Sequence, residues 1–297
     1  MIVEAHDVWK RYGRLEALQG VEFGIEEGSA FALLGPNGAG KTTVIKILMN
    51  LLRPSRGNTA ILGTDSRSIS PRELARIGYV SENQRMPGGL TVAQFLAYLS
   101  GFYPRWDKDL ERTMLRDLDL PPSRKIRDLS HGMRIKTALL CATVFRPRLL
   151  VLDEPFAGLD PLVRDEIMTG MLRRADDLTI LISSHELSEI ENFATDAAFL
   201  QAGRVLFQES MSGLIGRFRE VDVTLDSSAA VPRSVPSHWL RPRVMGSMFT
   251  FVETEYSENH TAKLIRALFD DVRQIEARPM TLRSIFTSLA AAGKGGL

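Results

Sequence analysis

The stretch Gly35-Pro36-Asn37-Gly38-Ala39-Gly40-Lys41-Thr42 decides how this chain is read. It fits G-x-x-x-x-G-K-[ST], the spacing of a loop that wraps a chain of phosphates. Ser29 to Leu34 before it reads as a short buried strand, and Thr43 to Leu52 after it reads as a helix. Strand, loop and helix together are the context this motif requires. Glycines at 35, 38 and 40 let the backbone bend without a Cβ in the way, so that successive N–H groups turn inward. The N-terminus of the helix adds partial positive charge. In this reading Lys41 reaches the outer phosphates of a nucleotide and Thr42 offers its hydroxyl to Mg²⁺. The plainer alternative is a glycine-rich turn, and the flanking elements weigh against it.

The 297 residues suffice for one large domain and a smaller one. Hydrophobic residues make up 44% and charged residues 25%, which is ordinary for a globular protein. The net charge is +1 and the basic residues are dispersed, so charge alone gives no footprint for nucleic acid. A single cysteine, Cys141, rules out an intramolecular disulfide; within the apolar run Ala138 to Ala142 it reads as a small core residue. Met1 to Asp7 do not resemble a signal peptide, and no apolar run reaches the roughly 18 residues that span a bilayer. A reduced, cytoplasmic setting is the expectation.

Outward from the loop, Ile2 to Ala5 and Val21 to Ile25 alternate like strands, with turn residues at Tyr12-Gly13-Arg14 and Glu26 to Ser29. They predict an antiparallel β layer. From Thr91 to Phe145 the period changes to helical. Thr91, Asp107 and Ser130 are each placed to cap a helix, and together these predict a helical insertion over about residues 86–147. Leu149 to Leu152 and Leu178 to Ile182 then read as buried strands of a parallel sheet covered on both faces. A boundary falls near 208–220. Beyond it, strands at Val221 to Leu225 and Met248 to Val252 and helices at His260 to Phe269 and Thr281 to Ala291 predict a small α+β appendage. The expected division is 1–210 and 211–297.

Leu149-Leu150-Val151-Leu152-Asp153-Glu154 sets two carboxylates at a strand end. Downstream of a phosphate loop, the first acid is suited to hold Mg²⁺ and the second to polarise the water that attacks the last phosphate. Alone, the pair is equally an acidic turn before Pro155. His185 follows another core strand, at the edge where open α/β sheets bind ligands, and is suited to bond the last phosphate or its water; a surface or capping histidine is the alternative.

In this order the residues resemble the nucleotide-binding subunits of ATP-binding-cassette (ABC) transporters, over about residues 1–210. Asp128-Leu129-Ser130-His131-Gly132-Met133 is similar to the family's signature L-S-G-G-Q, Ala157-Gly158-Leu159-Asp160 to its D-loop, and His185 to its switch histidine. Tyr12 stands where the family stacks an aromatic ring on adenine. The resemblance implies an ABC-type P-loop NTPase: a parallel core sheet, an antiparallel β layer and a helical subdomain, here with the α+β appendage. It implies ATP and Mg²⁺, with nucleotide contacts from Tyr12, Gly35, Pro36, Asn37, Gly38, Ala39, Gly40, Lys41, Thr42 and Thr43. Ser130, Gly132 and Asp160 would act across a head-to-tail dimer, with catalysis by Glu154, His185 and Lys41.

Two departures stand out. His131 and Met133 replace the third and fifth signature residues, while Ser130 and Gly132, which make the phosphate contacts, are kept. The family's glutamine before the helical insertion falls on Glu82, with Gln84 two residues on, and either is a candidate oxygen donor toward Mg²⁺ alongside Thr42 and Asp153. The segment from Thr91 to Asp107 and the ending Pro279 to Phe286 are similar to members paired with ABC-2-type permeases of bacterial exporters. The implied partners are integral-membrane permease subunits and a second ATPase subunit, with no nucleic acid, on the cytoplasmic face of the cell membrane. The rivals are a soluble ABC ATPase without a transport role, for which the Lys41–Asp153 interval lacks heptads and Cys clusters, and an ATP-dependent scaffold.

Overall fold

A computed structural model describes residues 1–172, 178–187, 190–228, 230, 232 and 234–292. The chain divides into two compact units, Met1–Gln208 and Glu209–Leu297. The part of the expected appendage past residue 292 lies outside the described residues.

The first unit begins with β1 (Val3–Tyr12) and β2 (Leu15–Ile25), a hairpin, followed by β3 (Ala30–Leu34) and α1 (Lys41–Leu48). Next come β4 (Arg56–Ile61), β5 (Thr64–Asp65), α2 (Pro71–Leu74) and β6 (Ile77–Val80). The helical stretch holds α3 (Val92–Ser100), α4 (Lys108–Asp117) and α5 (His131–Thr143). After it run β7 (Leu149–Asp153), α6 (Pro161–Leu172), β8 (Thr179–Ser184), β9 (Asp196–Gln201) and β10 (Arg204–Ser210).

The expected antiparallel layer is the four-stranded sheet β2-β1-β4-β5, and the core sheet has the order β10-β9-β3-β8-β7-β6. Around β3 the core sheet is parallel: β3 pairs in parallel with β8 and β9, and β7 with β8 and β6. Four of its strands end at one edge, because Leu34 pairs with Ser184, Ser183 with Asp153, and Leu152 with Val80. Side chains of the antiparallel layer, α1 and the core sheet share one core that includes Val3, Val21, Phe31, Val44, Ile45 and Val151. The helical layer has its own, around Leu96, Met114, Leu118, Leu140 and Val144, with Cys141 buried in it.

The three caps form as the residues dictate. Thr91 and Gln94 make a reciprocal capping box, Asp107 accepts from the N–H groups of Asp109 and Leu110, and Ser130 accepts from Met133 N at 3.2 Å. Several expected bounds shift, and the helices expected over His260–Phe269 and Thr281–Ala291 run over Glu258–Leu268 and Leu282–Ala292. The helix expected over Thr43–Leu52 begins at Lys41 and ends at Leu48, because Asn50 turns into the left-handed region at φ 55°. The strand expected from Leu178 begins at Thr179.

The second unit holds α7 (Met211–Arg217), β11 (Arg219–Leu225), β12 (Trp239–Met245), β13 (Met248–Glu253), α8 (Glu258–Leu268), β14 (Val272–Pro279) and α9 (Leu282–Ala292). Its sheet is antiparallel in the order β12-β13-β11-β14, so the two expected strands are the central pair of four. Trp239 stacks on Phe251 with ring centroids 3.8 Å apart and donates its indole N–H to buried Glu253 at 2.9 Å.

Candidate functional site

The shared strand edge gathers the site. β3 delivers the glycine loop, β7 delivers Asp153 and Glu154, β8 delivers Ser183 to His185, and β6 leads into Glu82. The loop cannot take larger residues. A Cβ on Gly35 would come within 2.0 Å of the Leu200 carbonyl oxygen; one on Gly40, where φ is 111°, would meet Leu18 Cδ2 at 2.6 Å. Gly40 is also the N-cap of α1 and supplies no side-chain acceptor, so the first-turn N–H groups keep their affinity for an anion.

Lys41 is buried, and its ammonium donates to the carbonyls of Gly35 at 2.6 Å and Pro36 at 3.2 Å. Its Nζ also lies 3.0 Å from Glu154 Oε1, an ion pair in contact distance but outside hydrogen-bond alignment. Glu154 Oε2 sits 2.8 Å from His185 Nδ1. Glu154 thus stands between a fixed cation and an imidazole, on a backbone held at φ 49°, a strained conformation for a side chain of this size.

Asp153 accepts from Thr42 Oγ1 at 3.0 Å and from Ser183 Oγ at 2.8 Å, both on Oδ1. Burial pushes its pKa up and the neighbouring Glu154 charge adds to this, while the hydroxyl donors from Ser183 and Thr42 oppose it. The same burial, with the Asp153 charge, pushes the Tyr79 phenol up to about 12. Ser183 went unassigned in the sequence reading, yet it bonds Asp153 and takes the Glu154 backbone N–H at 2.9 Å. Its only signal is a small hydroxyl residue next to the last position of the strand beside β7.

A pocket of about 630 Å³ opens here. Its lining includes Tyr12, the loop from Asn37 to Thr43, Glu82, Glu154 and His185, together with Leu15, Ala17, Ala157 and Gly158, which had not been singled out as its wall. Tyr12 is about half exposed at the end of β1. Glu82 lines both this pocket and a neighbouring cavity, whereas Gln84 folds back to accept the Ser81 N–H at 3.1 Å and borders the neighbouring cavity alone. Gly35 and Pro36 serve through their carbonyls. Ser130, Gly132 and Asp160 are outside the pocket's lining. Ser130 caps α5, and Asp160 accepts from Leu162 N at 2.9 Å ahead of Pro161 as α6 begins. His131 Nε2 lies 3.1 Å from the Ala157 carbonyl, tying the start of α5 to the segment after Glu154.

The donor set suits a triphosphate with a hard cation. A glycine cradle, a buried ammonium and a capless helix N-terminus match phosphate oxygens. Thr42 and Asp153 place two oxygens together, and no group of three His, Cys, Asp or Glu able to hold a metal occurs among the described residues. Among the described residues no helix is long and apolar enough to cross a membrane.

A family model described as ABC transporter matches residues 18–157. Daunorubicin resistance ATP-binding protein DrrA2 of Streptomyces coeruleorubidus is 34% identical over 247 residues, covering 78% of this chain and 75% of that protein. Nod factor export ATP-binding protein I of Neorhizobium galegae is 29% identical over 300 residues, covering 97% of this chain and 85% of that protein. The solved structure of an ATP-binding subunit of an ABC transporter superposes with a TM-score of 0.66 at 29% identity, covering 72% of this chain and 92% of that one.

Proposed function

The chain belongs to the ABC transporter family, and from that premise we propose that it is the ATP-hydrolysing motor subunit of an exporter, acting with a separate membrane permease. One observation carries the chemistry: Glu154 lies 3.0 Å from the Lys41 ammonium and 2.8 Å from the His185 imidazole, at the rim of the phosphate loop. In this reading the loop amides and Lys41 hold the β- and γ-phosphates. Glu154 orients the attacking water, and His185 steadies both Glu154 and the γ-phosphate. Thr42 and Asp153 would hold Mg²⁺, which would supply charge neutralisation at the phosphate oxygens, and Glu82, whose neighbour Gln84 is engaged by the Ser81 N–H, would be the further oxygen donor. Tyr12 offers an aromatic face to the base.

Ser130, Gly132 and Asp160 act on the nucleotide of a second subunit, in a head-to-tail dimer that closes on ATP and reopens on hydrolysis. The nucleotide's preference for the closed form is what drives the permease. Relatives named for daunorubicin resistance and Nod factor export support the export reading. The proposal assigns 1–210 to the cassette, 211–297 to an accessory domain, and the whole to the cytoplasmic face of the membrane.

The test has two parts. Steady-state phosphate release from Mg-ATP separates a motor from a scaffold, which would bind without turnover. Affinity purification from detergent-solubilised membranes should recover a polytopic protein. Turnover without any such partner would leave a soluble ATPase and sink the transport reading.

A further inference from the structure

We propose that the second unit carries a binding pocket of its own for a phosphate-bearing ligand. The pocket, of about 390 Å³, lies between β12 and the start of α9 and is lined in part by Arg241, Arg243 and Arg283. Glu220 is the one carboxylate in the lining, and Arg278 lies 3.8 Å from it. No hydrogen bond, ion pair or ring contact engages the side chains of Arg241, Arg243 or Arg283 among the described residues. Three arginines thus line one cavity, and like charges gathered in this way repel one another. Elsewhere in this unit Arg217 pairs with Glu209, Arg278 with Asp222, and Arg219 lies over the Tyr256 ring, while no such contact engages Arg266 or Arg273 among the described residues, and neither of these lines the pocket.

The backbone is shaped to bring two of them in. Along β12, Leu240 pairs with Val252 and Arg243 with Thr250, so three steps on β12 face two on β13. The extra residue is a bulge in an edge strand, where Pro242 removes no ladder hydrogen bond that the sheet needs. Arg241 takes it up at φ 54°, a left-handed conformation that a long side chain rarely adopts. Bulges and strained residues of this kind re-aim side chains at binding sites.

On the opposite wall Thr281 accepts the Ser284 N–H at 3.2 Å, and Arg283 projects from the first turn of α9. Buried Phe251, Val252 and Met280 supply an apolar wall. Arginine forks match the tetrahedral oxygens of phosphate, and the apolar wall suits an organic body attached to it. A soluble phosphate ester and an anionic lipid headgroup share that chemistry.

The experiment uses the full chain carrying Lys41→Ala, so that the phosphate loop does not compete, titrated with phenyl phosphate by calorimetry. Flotation with phosphatidylglycerol vesicles, against phosphatidylcholine vesicles, forms the second arm. Saturable binding should weaken by about tenfold or more in Arg241→Gln/Arg243→Gln, and separately in Arg283→Gln on the other wall. The exposed Arg273→Gln on β14 serves as the control and should bind unchanged. Because the three arginines are exposed and their side chains have no partner among the described residues, neutralising them should remove no contact seen to hold the fold, and circular dichroism would verify this. Arginine-dependent binding of phenyl phosphate assigns a soluble ligand; arginine-dependent flotation alone assigns a lipid headgroup. Failure of both arms, or binding indifferent to all three arginines, overturns the proposal.

Discussion

Replacing Glu154 by glutamine should nearly stop hydrolysis while tightening nucleotide binding, and the second half of that prediction comes from the structure. Lys41 Nζ is 3.0 Å from Glu154 Oε1, and both side chains are less than a tenth exposed. At an effective dielectric constant of about 20 their gross attraction is about 5 kcal/mol. Desolvation of the two ions offsets most of it. A net value of about 2 kcal/mol for a charge-assisted contact, against about 1 kcal/mol for a neutral one, is the realistic comparison. Lys41 must loosen this contact to turn toward a γ-phosphate. Glutamine keeps the shape and removes the charge, so about 1 kcal/mol less opposes binding, a gain of about fivefold in affinity. Lys41 retains the Gly35 and Pro36 carbonyls, so the loop stays formed. Loss of the water-orienting carboxylate should slow turnover by about 10²–10⁴-fold, equivalent to about 3–5 kcal/mol of barrier. Titration with a fluorescent ATP analogue, phosphate release, and light scattering with saturating Mg-ATP read the three consequences: tighter binding, arrested turnover and an accumulated dimer. A dissociation constant that rises, or turnover within about tenfold of the parent, would refute the assignment of Glu154.

Lys41→Ala should lose nucleotide affinity by about 100-fold or more, since it removes the buried cation proposed to meet the phosphates; an unchanged titration would contradict that role. The same change leaves Glu154 buried without its cation, so the nucleotide-free melting temperature should fall as well. Asp153→Asn should abolish Mg²⁺-dependent turnover yet raise the melting temperature at pH 7. The Asp153 pKa is raised in the fold, so the folded state holds its proton more tightly and stability declines as pH rises above the ordinary value of 3.8. Asparagine escapes that loss, and its advantage should shrink toward zero as pH falls through 3.8, a trend that melting curves across pH would reveal. Tyr12→Ala should weaken ATP by about 1–3 kcal/mol, and GTP by the same amount, because a stacked ring does not read the base; competition binding of the two nucleotides measures it.

How much of this was legible in the sequence depended on how local each signal was. The glycine loop, the Asp153-Glu154 pair and the caps at Thr91, Asp107 and Ser130 are short patterns whose physics is complete within a few residues, and they form where expected. What needed long-range pairing stayed hidden. Ser183 matters because Ser183 and Asp153 are register partners across β7 and β8, which no local pattern states. β9 and β10 turn through Ala202 and Gly203, both at positive φ, without the Asn-Gly or Asp-Gly pair that advertises such a hairpin. The strands missed in the appendage, β12 and β14, are its two edges. One is broken by an Arg-Pro-Arg bulge and the other is mostly charged outside Val272, Ile275 and Ala277, so neither alternates cleanly. The sequence leaves Glu82 and Gln84 equal as oxygen donors, and the engagement of Gln84 by the Ser81 N–H, a contact no local pattern states, is what favours Glu82.

Ser130 puts the dimer itself to the test, because it has a duty that needs no partner. Its hydroxyl caps α5, and losing a cap costs about 1 kcal/mol. If capping were its whole role, Ser130→Ala would lower the melting temperature and leave turnover intact well below it. Ser130 and Gly132 are absent from the lining of the pocket that holds Lys41 and Glu154, and in the proposed dimer the hydroxyl acts on the nucleotide of a second chain. Mixing separates the two cases. A Ser130→Ala chain keeps its phosphate loop, and a Lys41→Ala chain keeps its signature serine. In a head-to-tail pair formed from one of each, one site has both intact parts and the other has neither. Random pairing in equal amounts makes half the dimers mixed, so turnover should return to about a quarter of the parent's, although each chain alone is nearly inactive. Full turnover by Ser130→Ala alone would mean that Ser130 serves only its own helix, and two inactive chains that show no recovery at any mixing ratio would mean that it acts within its own chain; either result would overturn the proposed exchange of half-sites.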